Sequence, residues 1–147
     1  MKLQSLALSS LLALGAASAQ AQTEIQWWHS MTAFNNEWVN TLAKQFNESQ
    51  KAYKVTPIYK GSYDESMTAA IAAFRAGNAP HILQVFEVGT ATMMASKGAI
   101  VPAGKVMADA GKKFDTSAYI AAVAGYYTAP NGQMLSFPYN SSTTVLY

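Results

Sequence analysis

The spacing of apolar positions changes several times along the chain, and each change marks an element. Thr23 to His29 (TEIQWWH) is short and rich in β-branched and aromatic residues, which predicts a strand. Trp38, Leu42 and Phe46 then recur at every fourth position between Asn36 and Phe46, with Val39 and Ala43 beside them, and form one helical face. Tyr53 to Lys60 (YKVTPIYK) returns to a strand pattern, with Pro57 pushing it toward a sheet edge or a bulge because proline has no N–H to donate. The next helix is the best marked. Ser62 and Glu65 make a capping box, Met67, Ala70, Ile71 and Phe74 make an apolar stripe, and Gly77 stands where the chain must leave. His81 to Val85 (HILQV) has the apolar run of a strand covered on both faces. Short helices are predicted over Thr90–Ser96, ended by Gly98, over Ala103–Ala110, and over Ser117–Ala124, started by Asp115. Tyr126–Thr128 and Gln133–Phe137 flank Ala129-Pro130-Asn131-Gly132, a hairpin signal, and Thr143–Tyr147 reads as a last strand.

Strand, helix, strand, helix, strand, helix is the alternation of an α/β protein: an open sheet with helices on both faces. The chain stops inside an apolar strand, so it reads as the front part of a longer protein. Residues 1–21 fall outside this scheme. Lys2, the Leu/Ala/Ser run from Leu3 to Ala17, and Ala19-Gln20-Ala21 are the basic start, apolar stretch and small-x-small site of a secretory signal peptide. Cleavage is expected after Ala21, with Ala19 as the alternative. A membrane span needs about 20 predominantly apolar residues, and here Gln4, Ser5, Ser9 and Ser10 interrupt the run. The mature chain is therefore expected in a bacterial periplasm.

Composition narrows the function. Half of the 147 residues are apolar and 12% are charged, against about 25% in ordinary domains, which excludes a disordered tail. Ten Lys plus Arg against eight Asp plus Glu give +2 with no basic cluster, so nucleic acid is not an expected partner. The absence of cysteine excludes disulfides, thiolate metal sites and a cysteine nucleophile.

Open α/β sheets collect ligands outside the carboxyl ends of their strands. Those ends are Trp28-His29-Ser30, Gly61-Ser62-Tyr63 and Phe86-Glu87-Val88. Tyr63 falls at the first position of a helix, where open N–H groups and the macrodipole suit an anion and a phenol can donate to it; it can equally pack the helix start. Glu87 can accept from a ligand hydroxyl or simply serve a helix start. Of the two histidines, His81 opens a buried-looking strand, and His29 has no G-x-S-x-G serine to activate. There is no HExxH, EF-hand loop, G-x-G-x-x-G or P-loop, so neither a metal nor a nucleotide cofactor is expected. Trp27, Trp28 and Trp38 could stack on a sugar or fill a core; Met93-Met94 suits helix packing. Asn47-Glu48-Ser49 and Asn140-Ser141-Ser142 match the short glycosylation sequon. A binder outranks an enzyme.

Four segments carry a more specific resemblance: WHSM (Trp28–Met31), YKGSYDESM (Tyr59–Met67), AAFRAGNAPHILQVFEVGTATMMASKG (Ala72–Gly98) and SFPYNSSTTVLY (Ser136–Tyr147). They resemble the sn-glycerol-3-phosphate-binding periplasmic receptors, a family of extracellular solute-binding proteins that serve ABC importers, and the likeness extends over Ile25 to Tyr147. The resemblance implies a periplasmic-binding-protein-like lobe belonging to an incomplete two-lobed receptor. Residues 22–140 would be the first α/β lobe and 141–147 the start of a hinge strand toward the missing second one. It implies a monomer that binds glycerol 3-phosphate or a glycerophosphodiester such as glycerophosphocholine and delivers it to a membrane permease with ATP-binding subunits, without cofactor. Three ligand contacts of the family match this chain: Tyr63 in YKGSY, Glu87 ahead of VGTATMM, and Ser142 in NSST. Tyr63 and Ser142 are expected to donate to phosphate oxygens and Glu87 to accept from glycerol hydroxyls. Lys60 is the one basic side chain at the expected rim, and its direction is open. The competing readings are a sugar or oligosaccharide receptor of the same fold and a secreted phosphodiester hydrolase using His29 with Glu87.

Overall fold

The computed structural model describes residues 22–96, 98–141 and 145–146. The expected signal peptide, Ser142 and most of the expected last strand lie outside the described residues. Two compact units meet in sequence between Gln84 and Val85.

The first unit contains β1 (Thr23–His29), α1 (Ala33–Ser49), β2 (Tyr53–Tyr59), α2 (Tyr63–Arg75) and β3 (Ile82–Leu83). The three strands form a parallel sheet in the order β2-β1-β3, flanked by helices. The α1 crossover runs one way from β1 and the α2 crossover runs back past it, so the right-handed rule places the two helices on opposite faces. Register pairs Thr23 through His29 with Tyr53 through Tyr59, and Trp27 and Trp28 with Ile82 and Leu83. The expected third strand is thus only two residues long. His81 supplies what the short strand lacks: its Nδ1 accepts the Gln26 N–H at 3.0 Å. The imidazole is exposed and acts as a ladder acceptor, not as a core side chain.

The face of α1 is rotated from the expected one. Val39 and Ala43 are buried, whereas Trp38 and Phe46 stay 42% and 44% exposed. Small side chains let the helix approach the sheet, and the large aromatics flank the contact.

The outer edge of β2 is closed by side chains. Asn47 donates to Val55 O at 2.9 Å and accepts from Val55 N at 2.7 Å. Gln50 does the same for Tyr53, at 2.7 Å and 2.8 Å. Backbone groups of alternate residues face the same side of a strand, so Tyr53, Val55 and Pro57 all face outward, and Pro57 has nothing to donate. Two amides and a proline thus blunt an edge that could otherwise pair with another chain. Asn47 is also the acceptor of the first sequon, and its amide is committed to this pairing.

The second unit contains α3 (Glu87–Ala95), α4 (Ala103–Asp109), a 3-10 turn (Thr116–Ala118) and α5 (Ala121–Tyr126). The helix expected over Ser117–Ala124 is two pieces. Asp115 caps the first by accepting from Ser117 N at 2.9 Å, and Tyr119 is extended between them with its ring 5.6 Å from Phe114. The expected hairpin reduces to one antiparallel bridge, Thr128 to Met134, around Gly132 at φ 80°. The 134–135 backbone caps α4 instead, accepting from Gly104 N at 3.0 Å and Ala103 N at 3.1 Å. Val145 and Leu146 belong to no strand.

Candidate functional site

In the first unit the carboxyl ends of the three strands form one rim. Lys60 N donates to His29 O at 2.9 Å and Gln84 N to Trp28 O at 2.9 Å, so the ladder continues one residue past β2 and β3. The Gln84 side chain then accepts from Ser30 N at 3.1 Å, joining the ends of β1 and β3. This is where the strand order reverses, the place where open α/β sheets leave a crevice. Beyond β1 the Ser30 hydroxyl is buried without a partner among the described residues, and Ala33 enters α1 at φ 46°, a conformation costly for a residue with a Cβ.

His29 is 1% exposed and lies at the end of β1. Its Nδ1 accepts from Met31 N at 3.3 Å, which leaves the ring proton on Nε2. Burial pushes its pKa below the ordinary imidazole value, so it is neutral near pH 7. Its ring centroid is 6.2 Å from that of Trp27 and 6.1 Å from that of Tyr59. A buried imidazole with Nδ1 engaged by Met31 N–H holds the loop after β1.

Tyr63 is the first residue of α2 and is half-buried. The helix end around it differs from the expected open anion site. Ser62 Oγ accepts from Glu65 N at 3.3 Å, and Glu65 Oε2 accepts from Ser62 N at 2.7 Å. These bonds lower the Glu65 pKa, so a carboxylate already complements the dipole there. Whatever Tyr63 offers a ligand comes from its own side chain. Gly61 makes the turn at φ 82°, and a Cβ on it would collide with the Glu65 carboxylate.

Lys60 turns back over the sheet. Its Nζ lies 3.9 Å from the centroid of the Trp28 ring, while Trp28 Nε1 donates to Gln26 Oε1 at 3.2 Å.

In the second unit Glu87 is the first residue of α3, three residues before the expected start, and its carboxylate is exposed. Thr90, expected to open this helix, lies inside it and returns its hydroxyl to Phe86 O at 3.0 Å. Tyr126 Oη donates to Glu87 O at 2.8 Å, anchoring the residue's backbone. Burial, then Tyr126, then Glu87 raise the pKa of Tyr127, which places the carboxylate's field on that phenol. A groove of about 480 Å3 lined by Met107, Phe114, Met134, Lys105, Lys112 and Gln133, among others, lies elsewhere in this unit and is open to solvent. None of the candidate residues lines it. Among the described residues no group of three or more His, Cys, Asp or Glu could hold a metal ion, and no helix is long and apolar enough to cross a membrane.

Gln84 had no signal in the sequence beyond following an apolar run. The direction of Lys60 was equally unreadable, because its partner lies on another strand.

Residues 41–147 match the model of the bacterial extracellular solute-binding protein family. The chain is 56% identical over 142 residues to the sn-glycerol-3-phosphate-binding periplasmic protein of Brucella suis biovar 1, covering 96% of this chain and 33% of the relative. It is 52% identical over 143 residues to the protein of that name from Rhizobium meliloti, covering 97% and 33%. The corresponding protein of Yersinia enterocolitica is 58% identical over 132 residues, covering 89% and 30%. The chain spans about a third of the length of these curated relatives. With a family model matched over most of its length and a parallel α/β sheet in its first unit, the chain belongs to the bacterial extracellular solute-binding proteins.

Proposed function

We propose that the chain is part of a periplasmic receptor that binds sn-glycerol 3-phosphate and glycerophosphodiesters such as glycerophosphocholine. The receptor passes them to the membrane permease of an ATP-driven importer. The observation that carries this reading is identity of 52–58% over nearly the whole chain to proteins named for that ligand. In this reading residues 1–21 are a cleaved signal peptide, 22–140 belong to the first lobe, and 141–147 lead toward the second.

Tyr63 and Ser142 donate to the phosphate, since hydroxyls can donate to an anion. Glu87 accepts from the glycerol hydroxyls, since an ionised carboxylate only accepts and would repel a phosphate beside it. The exposure of Glu87 and the anchoring of its backbone by Tyr126 suit that role. The receptor works as a monomer and binds its ligand without turnover, in keeping with the engaged, buried His29.

The test is to follow glycerophosphocholine by phosphorus NMR. The protein used is a chimera in which residues 22–147 replace the matching segment of the Brucella suis relative. A stoichiometric shift of an intact diester is expected. Release of choline or glycerol would make the protein a hydrolase.

A further inference from the structure

We propose that Lys60, held on the face of Trp28, is the cation that the first unit presents to the ligand's phosphate. This rests on the glycerol-phosphate reading and extends it by a residue that the family contacts carried over from sequence do not include.

Three observations support the assignment. The first is position. Lys60 follows the last residue of β2, and its N–H continues the ladder onto His29 O, at the rim between β1 and α2. Among the described residues of the first unit, the other cations lie elsewhere. Lys44 is late in α1 and pairs with Glu48, Lys51 and Lys54 are at the amino end of β2, and Arg75 is the last residue of α2.

The second is direction. A lysine at a strand end normally extends its head into water. Here the half-buried side chain brings Nζ to 3.9 Å from the indole centroid instead. An aromatic face attracts an ammonium but carries no charge, so its positive charge is not neutralised. Among the described residues no carboxylate lies within salt-bridge distance of it, and Glu65, five positions on in sequence, is bound to the Ser62 backbone. The buried Trp28 holds the head against its face without cancelling its charge.

The third is the neighbouring residue of β1. Ser30, which follows β1, keeps a buried hydroxyl without a partner among the described residues, next to the carbonyl that Lys60 N–H engages. A buried polar atom without a bond is costly unless something else comes to satisfy it. A bound phosphate oxygen would satisfy it, and its negative charge would pair with the Lys60 ammonium.

The experiment compares Lys60→Met and Lys60→Arg in the same chimera, with glycerol 3-phosphate and glycerophosphocholine titrated at low and high salt. Methionine keeps much of the stem over Trp28 and removes the charge; arginine keeps both. A charge-assisted bond corresponds to about a tenfold to hundredfold change in affinity. Lys60→Met should therefore weaken glycerol 3-phosphate by about that factor and flatten its salt dependence. The singly charged diester should lose less, and Lys60→Arg should bind close to the parent and melt at the parent's temperature. Unchanged affinity in Lys60→Met would overturn the assignment, as would equal loss in both variants, which marks a packing role. A parent chimera that ignores glycerol 3-phosphate but takes another solute would overturn the underlying reading, a distinct result.

Discussion

Replacing Asn47 by Ala removes both bonds from its amide to Val55, the donor at 2.9 Å and the acceptor at 2.7 Å. Each such bond contributes about 1 kcal/mol net, and a group left without a partner costs about 1–3 kcal/mol. Val55 is half-buried at a sheet edge, so water can reach its freed N–H and C=O in part, which favours the lower end of that range. The expected loss is about 2 kcal/mol, or roughly 8–16 °C in Tm for a unit of this size. Denaturant unfolding measures the free energy, and amide exchange at Val55 reports the site itself. Asn47→Asp separates the two halves of the interaction: it keeps the acceptor for Val55 N but turns a repelling oxygen toward Val55 O, and should destabilise at least as much. The freed edge should also raise the tendency to self-associate. Unchanged stability with unchanged Val55 exchange would refute the claim that side-chain amides close this strand.

Gly61→Ala puts a Cβ at φ 82° and against the Glu65 carboxylate, and should cost about 2–3 kcal/mol from backbone strain plus a weakened capping box; an unchanged denaturation midpoint would contradict this. His29 should make stability pH-dependent in a definite sense. Burial lowers its folded pKa, so the unfolded chain takes the proton first. The contribution is complete above the ordinary imidazole value of about 6.5 and is lost as pH falls through the folded pKa. Unfolding free energy measured against pH should show this fall, and His29→Gln should remove its share of the slope. Glu87→Gln should weaken ligand binding by about 1–3 kcal/mol with little effect on stability, since the carboxylate is exposed and its backbone is held by Tyr126; an unchanged dissociation constant would end its assignment to the glycerol hydroxyls.

What could be read in the sequence was what local chemistry decides. Ser62 and Glu65 cap α2 by bonds within four residues, Gly77 ends it at φ 72°, and Pro57 marks β2 as an edge. What could not be read was decided across the fold. α1 turns Val39 and Ala43 inward because the sheet selects the side that packs closest, a choice spacing alone left open among Trp38, Leu42 and Phe46. The third strand shrank to two residues because His81 replaces backbone pairing with an imidazole. The chain breaks at Tyr119, whose ring lies against Phe114, and apolar spacing carries no sign of that contact. For the site, alternation placed Tyr63 at a helix start beside the rim. It could not show that Lys60 folds over a tryptophan 32 positions earlier.

As proposed, this segment belongs to a receptor for glycerol phosphates. Calorimetric titration of the chimera with glycerol 3-phosphate, beside residues 22–147 alone, is the decisive measurement. Micromolar or tighter binding by the chimera is expected, with little or none by the short chain, because a pocket that encloses a small polar ligand needs walls on every side. Heat from maltose or another sugar, with none from glycerol 3-phosphate, would contradict the proposal.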